Sequence, residues 1–303
     1  MEKVIVIVGP TGVGKTKMGV ELAKHFNGEV ISGDSMQIYQ EMDIGTAKVT
    51  KEEMNGITHH LIDIRSPNQT YSVKDFQETV RTCIKEITNR GKLPIIVGGT
   101  GLYIKAALYD YTFNESTSNH EQYKEKYQHL SNEGLYQYLL TIDQKSAEEL
   151  HCNNRQRVLR AIEIYESTGI KKSETIDKQE HICLYDATFI GLTLPREVLY
   201  NRINQRVDSM IANGLLQEME YLLNKGYTRD LQSMKAIGYK EWFTYFDKKQ
   251  SLVETIELIK KNSRNYAKRQ YTWFKNQFMM QWYTVNLNDF GKTVEQVTQE
   301  LKG

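Results

Sequence analysis

Cysteine is scarce in this chain. Cys83, Cys152 and Cys183 are odd in number and far apart, and no Cys-x-x-Cys occurs. That excludes a disulfide framework and a cysteine zinc site, and it points to a reducing compartment. Long apolar runs are missing as well. The stretch 4–8 is far too short to span a bilayer, and it lacks the basic flank, long apolar stretch and cleavage site of a signal peptide. A cytoplasmic protein without membrane association is the expectation. Net charge is nearly absent, with 39 Lys and Arg against 38 Asp and Glu. A case for a nucleic-acid surface must therefore rest on local clusters. There is no internal repeat, no low-complexity tract, and no metal-ligand spacing among the seven histidines. What is present, 303 residues with 40% hydrophobic and 25% charged, suits a globular protein of two domains or of one domain with an insertion.

The first hundred residues alternate strand and helix signals. Residues 4–8 read as a buried strand, 15–26 as a helix, 29–32 and 60–64 as further strands, and 93–97 as another buried strand. Ser72 and Asp75 have capping-box spacing and open a helix to about residue 89, with Gly91 just past its end. Strands alternating with helices predict a mainly parallel sheet covered on both faces. The pattern changes near Tyr111. From Asn119 to Thr168 only helical patterns are convincing, at 120–130, 134–140 and 154–167. Strand character returns at 187–194, and Pro195 starts a helix. The longest helix is expected from Ser251, boxed by Glu254, to 278, before a strand at 282–287 and a helix at 294–301. The expected organisation is an α/β core over 1–111 and 185–303, interrupted by a helical domain over 112–184.

Gly9-Pro10-Thr11-Gly12-Val13-Gly14-Lys15-Thr16 satisfies G-x-x-x-x-G-K-[ST] and lies between a predicted strand and a predicted helix. Its glycines let successive N–H groups converge on one anion, and the helix N-terminus adds partial positive charge. Lys15 supplies a full charge, and the Thr16 hydroxyl can ligate Mg²⁺. The motif specifies a polyphosphate on a phosphate-loop NTPase-like core, without naming the polyphosphate. A kinase or NTPase usually holds its metal through an Asp ending a neighbouring apolar strand. Here the best such strand ends in Gly98-Gly99, and Asp63 is the nearest substitute.

The second strand runs into Gly33-Asp34-Ser35-Met36-Gln37. Ligands of open parallel sheets bind beyond the carboxyl ends of the strands, so Asp34 is expected on the same rim as the phosphate loop. There a carboxylate can accept a proton, bind Mg²⁺ or cap the following turn. Gln37, with donor and acceptor groups together, can read an adenine edge.

Seven segments carry a resemblance. They are Gly9 to Thr16, Asp34-Ser35-Met36-Gln37-Ile38-Tyr39, His59-His60-Leu61-Ile62-Asp63, Gly98-Gly99-Thr100-Gly101-Leu102-Tyr103, Arg155-Gln156-Arg157-Val158-Leu159-Arg160-Ala161-Ile162-Glu163, Ala236-Ile237-Gly238-Tyr239-Lys240-Glu241 and Tyr266-Ala267-Lys268-Arg269-Gln270-Tyr271-Thr272-Trp273-Phe274. In this order, across nearly the whole chain, they resemble the tRNA dimethylallyltransferase family. That resemblance implies transfer of a dimethylallyl group from dimethylallyl diphosphate to the exocyclic amine of the adenosine just 3′ of a tRNA anticodon, giving N6-isopentenyladenosine. It implies that Gly9, Pro10, Thr11, Gly12, Val13, Gly14, Lys15, Thr16 and Arg206 hold a prenyl diphosphate with Mg²⁺ at Thr16, that Asp34 is the general base, and that Thr100 contacts the target nucleotide or caps its helix. Gly12 stands where the family often has Ala, and Ser263 where it often has Thr. Neither change removes a phosphate-binding group. Eukaryotic relatives often carry a C-terminal zinc-finger extension, and its absence here gives the expectation of a bacterial-type enzyme, acting as a monomer.

Residues 260–275 contain Lys260, Lys261, Arg264, Lys268, Arg269 and Lys275, no acid, and four interleaved aromatics. Such a helix can neutralise phosphates and stack on unpaired bases, or it can simply be a solvated face over core aromatics. Arg155, Arg157 and Arg160 form a second basic cluster. With the resemblance, the expected contacts to a tRNA anticodon stem-loop are Asp34, Ser35, Met36, Gln37, Thr100, Gln156, Arg157, Arg160, Lys235, Gly238, Lys240, Lys268, Arg269, Gln270 and Trp273, around an adenosine flipped out of its stack. The competing readings are an adenylate isopentenyltransferase acting on free AMP, ADP or ATP, a small-molecule kinase, and an RNA-binding protein with a vestigial phosphate loop.

Overall fold

The computed structural model describes residues 1–113, 120–177 and 181–302. Six strands form one sheet: β1 (Lys3–Val8), β2 (Gly28–Gly33), β3 (His59–His60), β4 (Leu93–Gly98), β5 (Asp186–Thr193) and β6 (Gln281–Thr284). Their order is β3-β2-β4-β1-β5-β6, and every pair is parallel. This is the expected α/β class. Residues 4–8 of β1 are all buried, because β1 is central and helices cover the sheet. Met18 and Leu22 of the Lys15–His25 helix and Val294 and Val297 of the Phe290–Glu300 helix share one apolar core with Ile5, Ile7, Ile95 and Ile190. The Val73–Asn89 and Gly101–Leu108 helices pack together, where the Gln77 amide donates to Ala106 O at 2.7 Å.

Helix starts follow the local chemistry. Ser72 Oγ accepts from Asp75 N at 3.1 Å while the Asp75 carboxylate accepts from Ser72 N at 2.7 Å. Ser251 and Glu254 make the same reciprocal pair and open the 26-residue Leu252–Gln277 helix. One expectation fails at β3. The strand read over 60–64 stops at His60, because Leu61 and Asp63 take φ of 63° and 56°, outside the β region. The last strand is also shorter than expected and ends at Thr284.

The chain divides into two compact units, Met1–Leu108 with Cys183–Gly303, and Tyr109–Ile182. The second contains no strand among its described residues, and Asn119, the expected start of its helical stretch, lies outside them. Its own core joins Leu135 and Leu139 to Val158, Leu159 and Ile162. Buried Asp143 accepts from the backbone N–H groups of Ser146 and Ser173, both at 3.1 Å.

One buried acid makes a large electrostatic contribution to the first unit. Glu29 on β2 is only 3% exposed and is met by Lys92 at 2.9 Å, Arg90 at 2.7 Å and His60 at 2.6 Å. Burial alone would raise its pKa, but the three hydrogen bonds outweigh burial and hold the carboxyl down at about 2. The depressed value stabilises the fold above the unfolded carboxyl range, and that stabilisation is lost as pH falls from about 4 to about 2. Glu29→Gln is expected to cost about 2 kcal/mol at pH 7, with the gap to the parent closing over that acid range. Urea unfolding at a series of pH values checks it. A gap that is constant with pH would contradict the assignment.

Candidate active site

The register of the parallel sheet brings three strand ends level. Ile7 of β1 lies opposite Val97 of β4 and Ile190 of β5, while Gly33 of β2 lies opposite Gly98 of β4. The segments that follow, Gly9 to Thr16, Asp34 to Gln37 and Gly99-Thr100, therefore emerge on one rim. Gly9 leaves β1 with φ of 143°, and a Cβ there would lie 2.4 Å from Leu192 O of the neighbouring strand. Only glycine fits that exit. Gly12 and Gly14 are also left-handed, with φ of 86° and 97°, and Gly14 leads into the Lys15–His25 helix. The loop thus curls around a helix N-terminus, the arrangement that binds anions.

The loop is held from both sides. Gln270, buried on the Leu252–Gln277 helix, accepts from Thr11 N at 2.9 Å and donates to Gly99 O at 3.0 Å. Arg206 donates to the Thr11 hydroxyl at 3.0 Å, and Arg202 donates to Gly12 O at 3.0 Å. Lys15 Nζ donates to Pro10 O at 2.9 Å. Burial and the nearby Arg206 guanidinium push the Lys15 ammonium down to about 8, with Asp34 pulling the other way. Burial likewise lowers Arg206, opposed by Asp34. Lys15, Arg206 and Asp34 therefore lie close enough to act on one another in one cleft.

A cleft of about 620 Å³ is lined by Thr11, Lys15, Thr16, Asp34, Arg202 and Arg206. Beside it is a cavity of about 310 Å³, with apolar walls from Met36, Ile203, Val207, Met210, Ile237 and Ile259. Thr11, Asp34, Thr46, Arg206 and Met210 line both. Two other acids line the cleft, but Asp43 pairs with Lys48 at 2.5 Å and Glu53 is taken up by its own capping box at Thr50. Asp34 alone stands at the junction with the apolar cavity, its Oδ1 accepting from Met36 N at 2.8 Å, which fixes the side chain. Asp63, the alternative acid, pairs with Lys48 at 2.5 Å and is not among the residues lining the cleft.

The other expected site residues fall into distinct groups. Thr100 Oγ1 accepts from Ser35 N at 3.1 Å and lies within reach of Tyr266, so it ties the Asp34 turn to β4. Gln37 lines the cleft; it donates to Ala47 O at 3.1 Å and accepts from the Ser32 hydroxyl at 3.4 Å, which leaves a second N–H and a second lone pair of its amide unused by these two bonds. Lys235 and Gly238 line the apolar cavity with Arg269, while Lys240 is exposed and lines neither space. Lys268 is exposed; Trp273 is half-buried against Gly101, where a Cβ would meet the indole at 2.1 Å. Gln156, Arg157 and Arg160 are exposed on the Arg155–Thr168 helix of the second unit, where Arg160 pairs with Glu163. Arg155 belongs to a different group. It donates to Leu130 O at 2.8 Å and Tyr127 O at 2.6 Å, closing a turn inside that unit. Arg264 is also engaged, with Asn204 at 2.5 Å.

Sequence reading misses Arg202 as a loop contact, although its i,i+4 spacing from Arg206 on the Arg196–Ala212 helix is a usable signal. It also misses the loop-bracing role of Gln270, for which no local pattern exists.

Fold and site define a phosphate-loop α/β protein whose anion cleft opens onto an apolar cavity at a carboxylate. A family model described as IPP transferase matches residues 37–277. A tRNA dimethylallyltransferase of Bacillus cereus (strain AH187) is 55% identical over 298 residues, 97% of this chain and 93% of that protein. One from Anoxybacillus flavithermus is 51% identical over 303 residues, 100% of this chain and 97% of that protein. The crystal structure of a tRNA delta(2)-isopentenylpyrophosphate transferase from Staphylococcus epidermidis aligns with a TM-score of 0.74 at 45% identity, covering 100% of this chain and 99% of that one. A eukaryotic dimethylallyltransferase acting on tRNA aligns with a TM-score of 0.85 at 33% identity, covering 98% of this chain and 78% of that one. The chain belongs to the IPP transferase family.

Proposed function

We propose that the protein is a tRNA dimethylallyltransferase: it moves a dimethylallyl group from dimethylallyl diphosphate to the exocyclic amine of the adenosine 3′ of the anticodon. The observation that carries this reading is the place of Asp34, on the shared wall of a cationic cleft and an apolar cavity. The diphosphate occupies the cleft, against the loop N–H groups, Lys15 and Arg206. The five-carbon group points toward the apolar walls. The amine nitrogen bonds to the allylic carbon as the carbon–oxygen bond to diphosphate breaks, and the amine proton passes to the Asp34 carboxylate. Adenine's exocyclic amine is a poor nucleophile, so removal of its proton as the bond forms lowers the barrier. Charge growing on the leaving diphosphate is met by fixed donors already in place.

Mg²⁺ fits this donor set in a limited way. Thr16 offers a hydroxyl to the cleft, and no group of three or more His, Cys, Asp or Glu that could hold a metal exists among the described residues. Thr16 would hold the ion beside the bound diphosphate. The ion would supply charge neutralisation on the departing diphosphate.

For RNA, the exposed Lys268 and Arg269 on the first unit and Arg157 and Arg160 on the second offer charge to phosphates, and Gln156 offers an uncharged amide donor. Lys235 and Gly238, at the cavity, are proposed to face the flipped nucleotide. No helix among the described residues is long and apolar enough to cross a membrane. The protein is proposed to work as a cytoplasmic monomer. Calorimetric titration distinguishes a prenyl diphosphate site from a nucleotide-hydrolysing one. Saturable Mg²⁺-dependent binding of dimethylallyl diphosphate, without ATP turnover, is expected. ATP hydrolysis with no prenyl diphosphate binding would return the loop to kinase chemistry.

A further inference from the structure

Besides the Arg196–Ala212 helix, both cavities are lined by the segment 43–47, which has no regular secondary structure. Gly45 and Thr46 face the apolar cavity, and Asp43, Ile44 and Thr46 face the cleft. A loop in that position has to be held by something. The backbone of residues 43–45 is held by one carboxylate. Glu218, on the Leu215–Asn224 helix, accepts from three consecutive backbone N–H groups: Asp43 N at 2.9 Å, Ile44 N at 2.7 Å and Gly45 N at 3.0 Å. Its Oε1 also accepts the Tyr239 hydroxyl at 2.6 Å. Successive N–H groups aimed at one point make an anion nest, and here the anion is internal.

Tyr239 completes the clamp from the other side. It is fully buried, and a Cβ on Gly45 would lie 2.5 Å from its Cε2 and Cζ, so the loop backbone rests directly on the hydroxyl end of the phenol. Burial and the adjacent Glu218 drive the phenol's pKa far upward, which keeps the hydroxyl a donor. The far end of the loop is tied back to the Asp34 segment, by Gln37 to Ala47 O at 3.1 Å and by Lys48 Nζ to Tyr39 O at 2.7 Å. The loop therefore spans from Glu218 to the turn that carries the proposed base. On the adjoining wall a second buried acid, Glu241, accepts from Gly238 N at 2.9 Å and from the Asn262 amide at 2.7 Å.

The geometry points to Glu218 as a positioning residue for prenyl transfer: by clamping the 43–45 backbone against Tyr239 it fixes the wall across which the allylic carbon and the target amine meet. The inference rests on the transfer function proposed above. It concerns alignment rather than RNA affinity, because Glu218 contacts the loop and not the exposed basic residues.

Full-length parent, Glu218→Ala, Glu218→Gln and Tyr239→Phe are compared by amide exchange and by steady-state transfer at saturating tRNA and dimethylallyl diphosphate. In Glu218→Ala the amides of residues 43–45 should exchange at least about tenfold faster, with those of β1 and β4 unchanged. Its kcat should fall by about tenfold or more, while KM for tRNA stays within about twofold. Glu218→Gln keeps one acceptor oxygen for part of the nest and should fall between Ala and the parent; Tyr239→Phe leaves the three N–H bonds and should lose least. Faster exchange with unchanged kcat would overturn the proposal, as would unchanged exchange in both Glu218 variants. Should Glu218→Ala fail to fold, the Gln and Phe variants decide by the same two readouts. A parent that binds tRNA but transfers no prenyl group would refute the transfer function itself, and the exchange arm would still report on the clamp.

Discussion

Replacing Asp34 with asparagine should lower kcat for prenyl transfer by about 10²–10⁴-fold, the usual contribution of a positioned general base. Asparagine keeps the size of the side chain, and its carbonyl can still accept from Met36 N, as Asp34 Oδ1 does at 2.8 Å. The turn should therefore survive, and only the proton acceptor is removed. Affinity for tRNA and for dimethylallyl diphosphate should stay within a few-fold. The check is a pair of measurements: single-turnover transfer, and tRNA binding without the prenyl donor. Near-normal transfer by Asp34→Asn would remove Asp34 from the chemistry and leave it as a turn cap.

Lys15→Met should cut kcat/KM for the diphosphate substrate by about 10²–10³-fold, because it deletes the full positive charge beside the departing group. A pH dependence accompanies it. Burial and Arg206 hold Lys15 at about 8, so the free enzyme loses this charge as pH rises through that value. Parent kcat/KM should therefore decline above about pH 8, since that parameter reports groups in the free enzyme. Lys15→Met should lack this alkaline limb. If the variant keeps the same limb, the titrating group is another one.

Much of this site could be read from residues alone, for a definable reason. The phosphate loop is contiguous, and its strand–turn–helix setting is encoded by the apolar run before it and the helix-forming residues after it. Asp34 followed from a rule about parallel sheets, since β2 and β4 end level at Gly33 and Gly98. The parts that could not be read are those made by distant pairings. Gln270 reaches Thr11 and Gly99 from far along the chain, a pairing that no local pattern announces. Arg155 looked like part of a basic cluster because its neighbours are basic, yet its guanidinium is spent on carbonyls of a preceding turn. Strand β3 was over-read because Leu61 and Asp63 adopt left-handed backbone that their side chains do not announce. Glu218 left no trace in the sequence, because a carboxylate binding backbone N–H groups requires no particular side chain in its partner loop.

The carboxylate between cleft and cavity is proposed to serve transfer of a prenyl group to tRNA. The most direct test offers purified protein, Mg²⁺ and labelled dimethylallyl diphosphate to unmodified tRNA and, in parallel, to free AMP and ATP. Label is expected in tRNA alone, recovered after digestion as N6-isopentenyladenosine from the position 3′ of the anticodon. Label confined to the free nucleotides, or none in any acceptor from folded protein, would contradict it.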